Sequence, residues 1–538
     1  MVEESCHEDC GALGMNTSTS LARVLVRQMI EAGIRDAVIS PGSRNAPLSL
    51  ALVAAEERGL ITLHIRIDER TAAFFALGLI KATKRPVPII CTSGTAVANY
   101  HPAILEASHT NQPLLVLTAD RPAMLRRTGA NQTTEQARIF GKAVRYFADV
   151  DGPVFPMELP LDSLRHGPVH LNIQFDEPLL PDSDNSWLNE IKVAPKDFIT
   201  RKALGKLKIA SHRGVLVIGH DRGGLPLAEV LGFAEKLGWP VITEDPLSFP
   251  NAIPHASLFL NSNKIRQTLI PQAVVLIGRT TLSRSINSFI ASAPLSYVID
   301  PRIATVDSDR SADKRFLTIP ELDVVAGDEE WLAQWKKFGD RSAKVVEGLD
   351  GWNEATIARE ISKAIPDGSS FFIASSRPIR DIEACGTPRS GVETFANRGL
   401  AGIDGNISTA LGIASARTRT YALIGDLAFL HDMSGLVTRE VINCRIFVIN
   451  NDGGGIFSTL PQSGVEGFER VFGTPHGLDP AAIASSMGVA SVSVSNHKEL
   501  QNELAKPVAG ISVVVINTPS RESNGENLKK IYQMIDGI

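Results

Sequence analysis

"FVINNDGGGIFSTLP", residues 447–461, opens as a strand and breaks into a loop. Phe447 to Ile449 is an apolar run of the kind that fills a buried parallel strand. Asn450, Asn451, Asp452, Gly453, Gly454 and Gly455 then follow without interruption. Turn chemistry accounts for the glycines, because Gly, Asn and Asp tolerate positive φ. It does not require two adjacent amides. Amide and main-chain carbonyl oxygens are also ligands for a hard cation, provided a carboxylate joins them from elsewhere.

That carboxylate lies upstream, in "YALIGDLAFLHD" (421–432). Gly425 and Asp426 close a second apolar run, and open α/β sheets gather ligands at the carboxyl ends of their strands. Asp426 precedes Asn451 by 25 residues, room for a helix and a strand, so both reach the same sheet edge. The Asp426 carboxylate, the Asn451 amide oxygen and the Gly453 carbonyl form half of an octahedral shell. Mg²⁺ (or Mn²⁺) completes such a shell with phosphate oxygens and water. The plainer reading is two neighbouring strand-end turns.

The rhythm extends outward from this point. SLARVLVRQMIEAG (20–33) has helical periodicity, DAVIS (36–40) reads as a strand, and ITLHI (61–65) and ERTAAFFALGLIKAT (69–83) repeat the pair. VPIICTSG and LLVLTADRP are further strands. Around 182–200 the pattern weakens into a polar, proline-containing linker, and GVLVIGHD (214–221) restarts it. A charged helix over 328–348 leads to a third set of strands: SSFFIASS, VETFAN, TYALIGD, RIFVINN and ISVVVIN. Near-continuous apolar strands alternating with helices predict three consecutive doubly wound α/β domains with parallel sheets. The expected boundaries are 15–195, 196–348 and 349–538.

Bulk properties narrow the function. The chain of 538 residues is 43% hydrophobic and 21% charged, enough for a packed core. A net charge of -5 does not suggest a nucleic-acid surface or a polybasic membrane anchor, and no apolar run reaches the roughly 18 residues of a membrane helix. Cys6, Cys10, Cys91, Cys385 and Cys444 are odd in number and widely spaced, a reduced, cytoplasmic pattern. "CHEDC" (6–10) could hold a metal but lacks a second half. The acidic N-terminus is not a secretory signal, and Met15 is a candidate start preceded by an extension.

Spacing of this kind resembles the fingerprint of the thiamine diphosphate-dependent enzymes, in which GD is followed some 24 to 27 residues later by NN. Leu427 stands where most members have Gly, a departure found in the menaquinone-pathway branch. The chain resembles that branch, the 2-succinyl-5-enolpyruvyl-6-hydroxy-3-cyclohexene-1-carboxylate synthases, from about Met15 onward. "SPGSRNAPL" (40–48), "DERTAAFFALG" (68–78), "CTSGTAVANYHPAILEA" (91–107), "TADRP" (118–122), "TGANQTTEQ" (128–136) and "NRGLAGIDGNIST" (397–409) carry the likeness in order.

The resemblance implies a pyrimidine-binding first domain, a central Rossmann-like domain and a diphosphate-binding third domain. It implies a transferase that decarboxylates 2-oxoglutarate on thiamine diphosphate and adds the succinyl carbanion equivalent to isochorismate. Glu69 matches the glutamate that faces N1′ of the aminopyrimidine. Gly402, Ile403 and Asp404, with Gly425, Asp426, Leu427, Ala428, Asn451, Gly453, Ile456 and Phe457, match the cofactor site, Ile403 propping its bent form. Asp426, Asn451 and Gly453 match the metal ligands.

Each substrate carries two carboxylates, which arginine forks suit. Ser43, Arg44, Arg121, Asn131, Gln132, Ser376, Arg380 and Arg398 match substrate-site positions, with Ser43 and Arg44 also near the chemistry and Ile456 and Phe457 as walls. Arg284 matches the first member of a basic pair whose second member is here Ser285. The likeness further implies a homodimer or a dimer of dimers, with active sites where the first domain of one subunit faces the third of another. Neither nucleic acid nor membrane is implied as a partner. Related enzymes with FAD or a paired-His motif are a rival reading, as is a binding protein that kept only the fold. GHDRGG (219–224) is not GxGxxG, and His64 and His101 are isolated.

Overall fold

A computed structural model describes residues 17–152, 158–194, 205–302, 312–324 and 327–538. The CHEDC segment and part of the expected linker lie outside them.

The first sheet is entirely parallel. It holds β1 (Asp36–Ile39), β2 (Thr62–Ile65), β3 (Val87–Cys91), β4 (Leu114–Asp120), β5 (Tyr146–Val150) and β6 (Val169–Gln174) in the order β2-β1-β3-β4-β6-β5. Neither β5 nor β6 shows in the apolar pattern: YFADV is a half-exposed edge strand, and the polar residues of VHLNIQ hide a strand buried on both faces. Helix α1 (Thr17–Glu31) and helix α2 (Glu69–Thr83) flank this sheet. Asp68 caps α2 by accepting N–H bonds from Arg70 and Thr71. The start of the expected linker is packed rather than free: Leu188 is buried against the first core with Trp187, and Arg27 bonds the Trp187 carbonyl.

The second sheet takes β8 (Gly214–Ile218), β9 (Val241–Thr243), β10 (Ala273–Ile277), β11 (Ser296–Ile299) and β12 (Lys314–Phe316), after β7 (Lys206–Ile209), which pairs separately with β13 (Glu321–Val324). Its helices include α3 (Arg284–Ile290) and the long α4 (Glu329–Glu347).

The third sheet carries β14 (Ser369–Ile373), β15 (Val392–Phe395), β16 (Thr420–Gly425), β17 (Cys444–Asn450), β18 (Ala490–Val494) and β19 (Ile511–Asn517) in the order β15-β14-β16-β17-β19-β18. This is the topology of the first sheet repeated. Its helices include α5 (Glu354–Ala364), α6 (Arg377–Cys385), α7 (Asn406–Ser415), α8 (Asp426–His431) and α9 (Arg521–Asp536).

The first and third units meet through α2 and α7, whose backbones nearly touch. A Cβ on Gly78 would sit 2.2 Å from the Thr409 carbonyl oxygen, and one on Gly412 would sit 2.0 Å from that of Phe75. Only glycine permits that approach. Among the described residues no helix is long and apolar enough to cross a membrane.

Candidate active site

Parallel register puts Gly425 of β16 opposite Ile449 of β17, so the two strand ends leave the sheet together. Asp426 bridges them. Its Oδ2 accepts N–H bonds from Asn451 (3.1 Å) and Gly453 (2.9 Å), and its Oδ1 accepts that of Leu427 (2.7 Å). His476 Nδ1 accepts the Leu478 N–H at 3.0 Å, which leaves the ring proton on Nε2, 3.4 Å from Asp426 Oδ2. Burial raises the Asp426 carboxyl above its ordinary range, against the pull of these donors.

The unused acceptors are what a cation would need. Asn451 gives its Nδ2 to Glu354 Oε1 at 2.7 Å, while its Oδ1 is buried without a partner. A buried oxygen with no donor is costly unless something positive meets it. Asp426 Oδ1 accepts one bond where Oδ2 has three donors near it, and the Gly453 carbonyl accepts only the Gly455 N–H at 2.9 Å. Two neutral oxygens and one carboxylate suit Mg²⁺ or Mn²⁺. Gly453 holds φ 132°, and a Cβ there would lie 2.0 Å from the Gly473 carbonyl oxygen.

Residues that sequence reading missed hold this cradle in place. Glu354 Oε2 lies 3.4 Å from Arg377 Nε, and Arg377 also pairs with Asp381 one turn on, whose carboxyl burial pushes up to about 7. Arg521 clasps the loop through the Asn451 and Asp452 carbonyls and the Glu469 carboxylate. A glutamate opening α5 reads as a helix-dipole contact, so nothing in the sequence ties Glu354 to a site. Only the Arg377–Asp381 spacing was visible, as an ordinary i,i+4 ion pair.

The first sheet contributes a separate cluster. Glu69 is the half-buried first residue of α2, close enough to Cys91 and Tyr100 for its charge to act on both. Arg44 donates to the Phe175 carbonyl at 3.0 Å and lies 3.4 Å from Glu177. Arg121 donates to Ser93 Oγ and the Gln132 carbonyl, each at 2.8 Å, and the nearby Arg44 charge weighs against its own. Ser43, Asn131 and Gln132 are exposed on the same loops. Among the described residues no hydrogen bond or ion pair joins this cluster to Asp426, Asn451 or Gly453.

A third group surrounds a cavity of about 300 Å³ between the second and third units, where Arg284, Arg380 and Ile456 come together. Ser376, just before α6, holds φ 72° and ψ -130°, a costly conformation for a residue with a Cβ. Its carbonyl accepts Arg380 Nη1 at 2.6 Å. Ile403 is exposed between Gly402 and Asp404, and the Phe457 ring leans on Phe472 at 5.5 Å. Leu427 and Ala428 continue α8 beyond Asp426.

Arg398 departs from the expectation that it reaches toward a substrate. It is 3% exposed and forks onto Glu244 of the second unit through Nε and Nη2 at 3.0–3.2 Å. A buried carboxylate from the middle domain claims it, and nothing near Arg398 in the sequence announces that partner.

Family models for the N-terminal TPP binding domain, the middle domain and the C-terminal TPP binding domain of thiamine pyrophosphate enzymes match residues 19–139, 181–373 and 386–518. A protein of Thermobifida fusca named 2-succinyl-5-enolpyruvyl-6-hydroxy-3-cyclohexene-1-carboxylate synthase is 38% identical, with 96% of this chain and 99% of that protein covered. Proteins of the same name from Saccharopolyspora erythraea (36% identity, 95% and 97% covered) and Lysinibacillus sphaericus (38%, 89% and 91%) are similar over comparable lengths. The crystal structure of benzoylformate decarboxylase from Polynucleobacter necessarius superposes with a TM-score of 0.64 at 16% identity, over 94% of this chain and 99% of that one, a likeness of fold.

Proposed function

This chain belongs to the 2-succinyl-5-enolpyruvyl-6-hydroxy-3-cyclohexene-1-carboxylate synthase family of thiamine pyrophosphate enzymes, and we propose that it decarboxylates 2-oxoglutarate and adds the remaining four-carbon unit to isochorismate, as a step of menaquinone biosynthesis. The observation that carries this reading is the oxygen cradle: one carboxylate, one buried amide oxygen without a donor and one glycine carbonyl at adjoining strand tips. Thiamine diphosphate, when bound, supplies the carbon nucleophile and the electron sink.

The residues divide the remaining work. Asp426, Asn451 and Gly453 would hold Mg²⁺ or Mn²⁺ for the diphosphate, with Gly425, Leu427 and Ala428 beside them. Glu69 holds a proton at N1′ of the aminopyrimidine. Gly402, Ile403 and Asp404 would support the cofactor, and Ile456 and Phe457 would shield the reacting face from water. Arg44, Arg121, Arg284 and Arg380, with Ser43, Asn131, Gln132 and Ser376, orient the carboxylates of the two substrates. Arg398 belongs to this set through Glu244 and the loop it anchors.

The units serve as pyrimidine-binding (15–195), central (196–348) and diphosphate-binding (349–538) domains. The active site forms between subunits of a homodimer or dimer of dimers in the cytoplasm. Two observations support the shared site. Glu69 and the cradle have no bond between them within one chain, and Ile65 (50% exposed), Ile67 (74%) and Val441 (94%) leave apolar surface near α2.

The test is direct. Purified protein with Mg²⁺ and thiamine diphosphate should release CO₂ from 2-oxoglutarate and, with isochorismate, yield the named product by mass. Release from pyruvate alone would point to another thiamine diphosphate enzyme. Asp426→Ala should abolish the gain in thiamine diphosphate affinity that Mg²⁺ confers on the wild type, read by calorimetry with and without the ion. An undiminished Mg²⁺ effect would remove Asp426 from the metal site.

A further inference from the structure

We propose that Lys529, on the C-terminal helix, is a further substrate-binding residue that takes a carboxylate of one dicarboxylate substrate at the cavity between the second and third units. The inference rests on the synthase reading above.

Helix α9 turns one stripe toward that cavity: Gly525, Leu528, Lys529 and Tyr532 all line it. Their spacing of i, i+3, i+4 and i+7 is one helical face. At Gly525 the helix passes the loop after β17 at contact distance, a Cβ there lying 3.7 Å from the Ser458 carbonyl oxygen. Arg284 of α3 and Arg380 of α6 line the same space, and Ile456 places it beside the expected reacting face.

The cations around the cavity are not equally available. Arg377 is spent on Glu354 and Asp381, and Arg380 gives one nitrogen to the Ser376 carbonyl. Ser285 is buried, and its Oγ donates to the Ser257 carbonyl at 2.6 Å, so it offers no charge. Arg284 and Lys529 remain; among the described residues neither has a hydrogen bond or ion pair. The acids on the wall do not neutralise them fully. Asp381 is taken by Arg377, and burial holds Glu383 well above the usual carboxylate range, which favours its protonated form. A cavity of about 300 Å³ with two uncommitted cations in its lining, one from α3 and one from α9, is suited to a small dianion.

Lys529 is exposed, so its truncation should leave the fold intact. The holoenzyme is assayed with 2-oxoglutarate and isochorismate varied in turn, and 2-oxoglutarate binding is followed by calorimetry. In K529M, KM for one dicarboxylate should rise about 10-fold or more, the size of one lost charge-assisted bond. Its kcat and its affinity for thiamine diphosphate should stay near wild type. K529R should recover most of the loss, and K530M, one residue along and outside the cavity lining, should match the wild type. If K529M leaves both KM values unchanged, if K530M mimics it, or if K529R fails to restore affinity, the inference falls while the synthase reading stands. If the wild type neither binds nor turns over 2-oxoglutarate, both fall together.

Discussion

Glutamine in place of Glu69 is expected to lower turnover by about 10²- to 10⁴-fold, the range for losing a positioned proton-transfer group. Thiamine diphosphate should still bind with near wild-type affinity. The change keeps the side-chain shape and leaves the helix start alone, because the α2 cap comes from Asp68 and not from Glu69. Among the described residues the Glu69 side chain has no hydrogen bond or ion pair, and it is half-buried, so folding should be little affected. What the amide lacks is a carboxyl proton that can be shared with a ring nitrogen. CO₂ release from 2-oxoglutarate, set beside calorimetric cofactor binding, separates the two effects. Wild-type turnover in this variant would strip Glu69 of its role.

Arg398→Ala is expected to cost about 3–5 kcal/mol of stability, as removal of one partner from a buried ion pair does. The fork would leave Glu244, only 1% exposed, holding an uncompensated charge between the second and third units. Glu244 also accepts N–H bonds from His220 (3.2 Å) and Leu282 (2.8 Å). It therefore anchors the loop that leads into Arg284, and loosening it should raise KM for at least one dicarboxylate as well. Motif reading alone puts Arg398 on a substrate carboxylate and predicts a KM effect with little loss of fold. The buried pair reverses that order. Chemical denaturation gives the test: a loss under about 1 kcal/mol would mean the pair is not holding the units together. A double Arg398→Met, Glu244→Leu variant should recover much of the stability, since paired removal leaves no buried charge.

Much of the architecture is legible in the sequence. Glu69–Thr83 and Ile511–Asn517 form where their apolar patterns place them, because a sheet buried on both faces demands uninterrupted apolar strands and the covering helices demand an apolar stripe. VHLNIQ shows the limit: His170 and Asn172 are buried there, hydrogen-bonded by Thr118 and Gln136 from distant segments. A polar residue carries no local sign that its partner will be supplied.

The same division holds at the site. Asp426, Asn451 and Gly453 could be paired from spacing alone, since parallel strands joined by a helix end at one edge of a sheet, so chain distance converts directly into proximity. Glu354 behind Asn451, His476 beside Asp426 and Glu244 around Arg398 are 97, 50 and 154 residues from their partners. Periodicity is a property of one segment and survives in the linear chain. The choice of which buried charge meets which depends on how separate sheets are stacked, and only the packed molecule decides it.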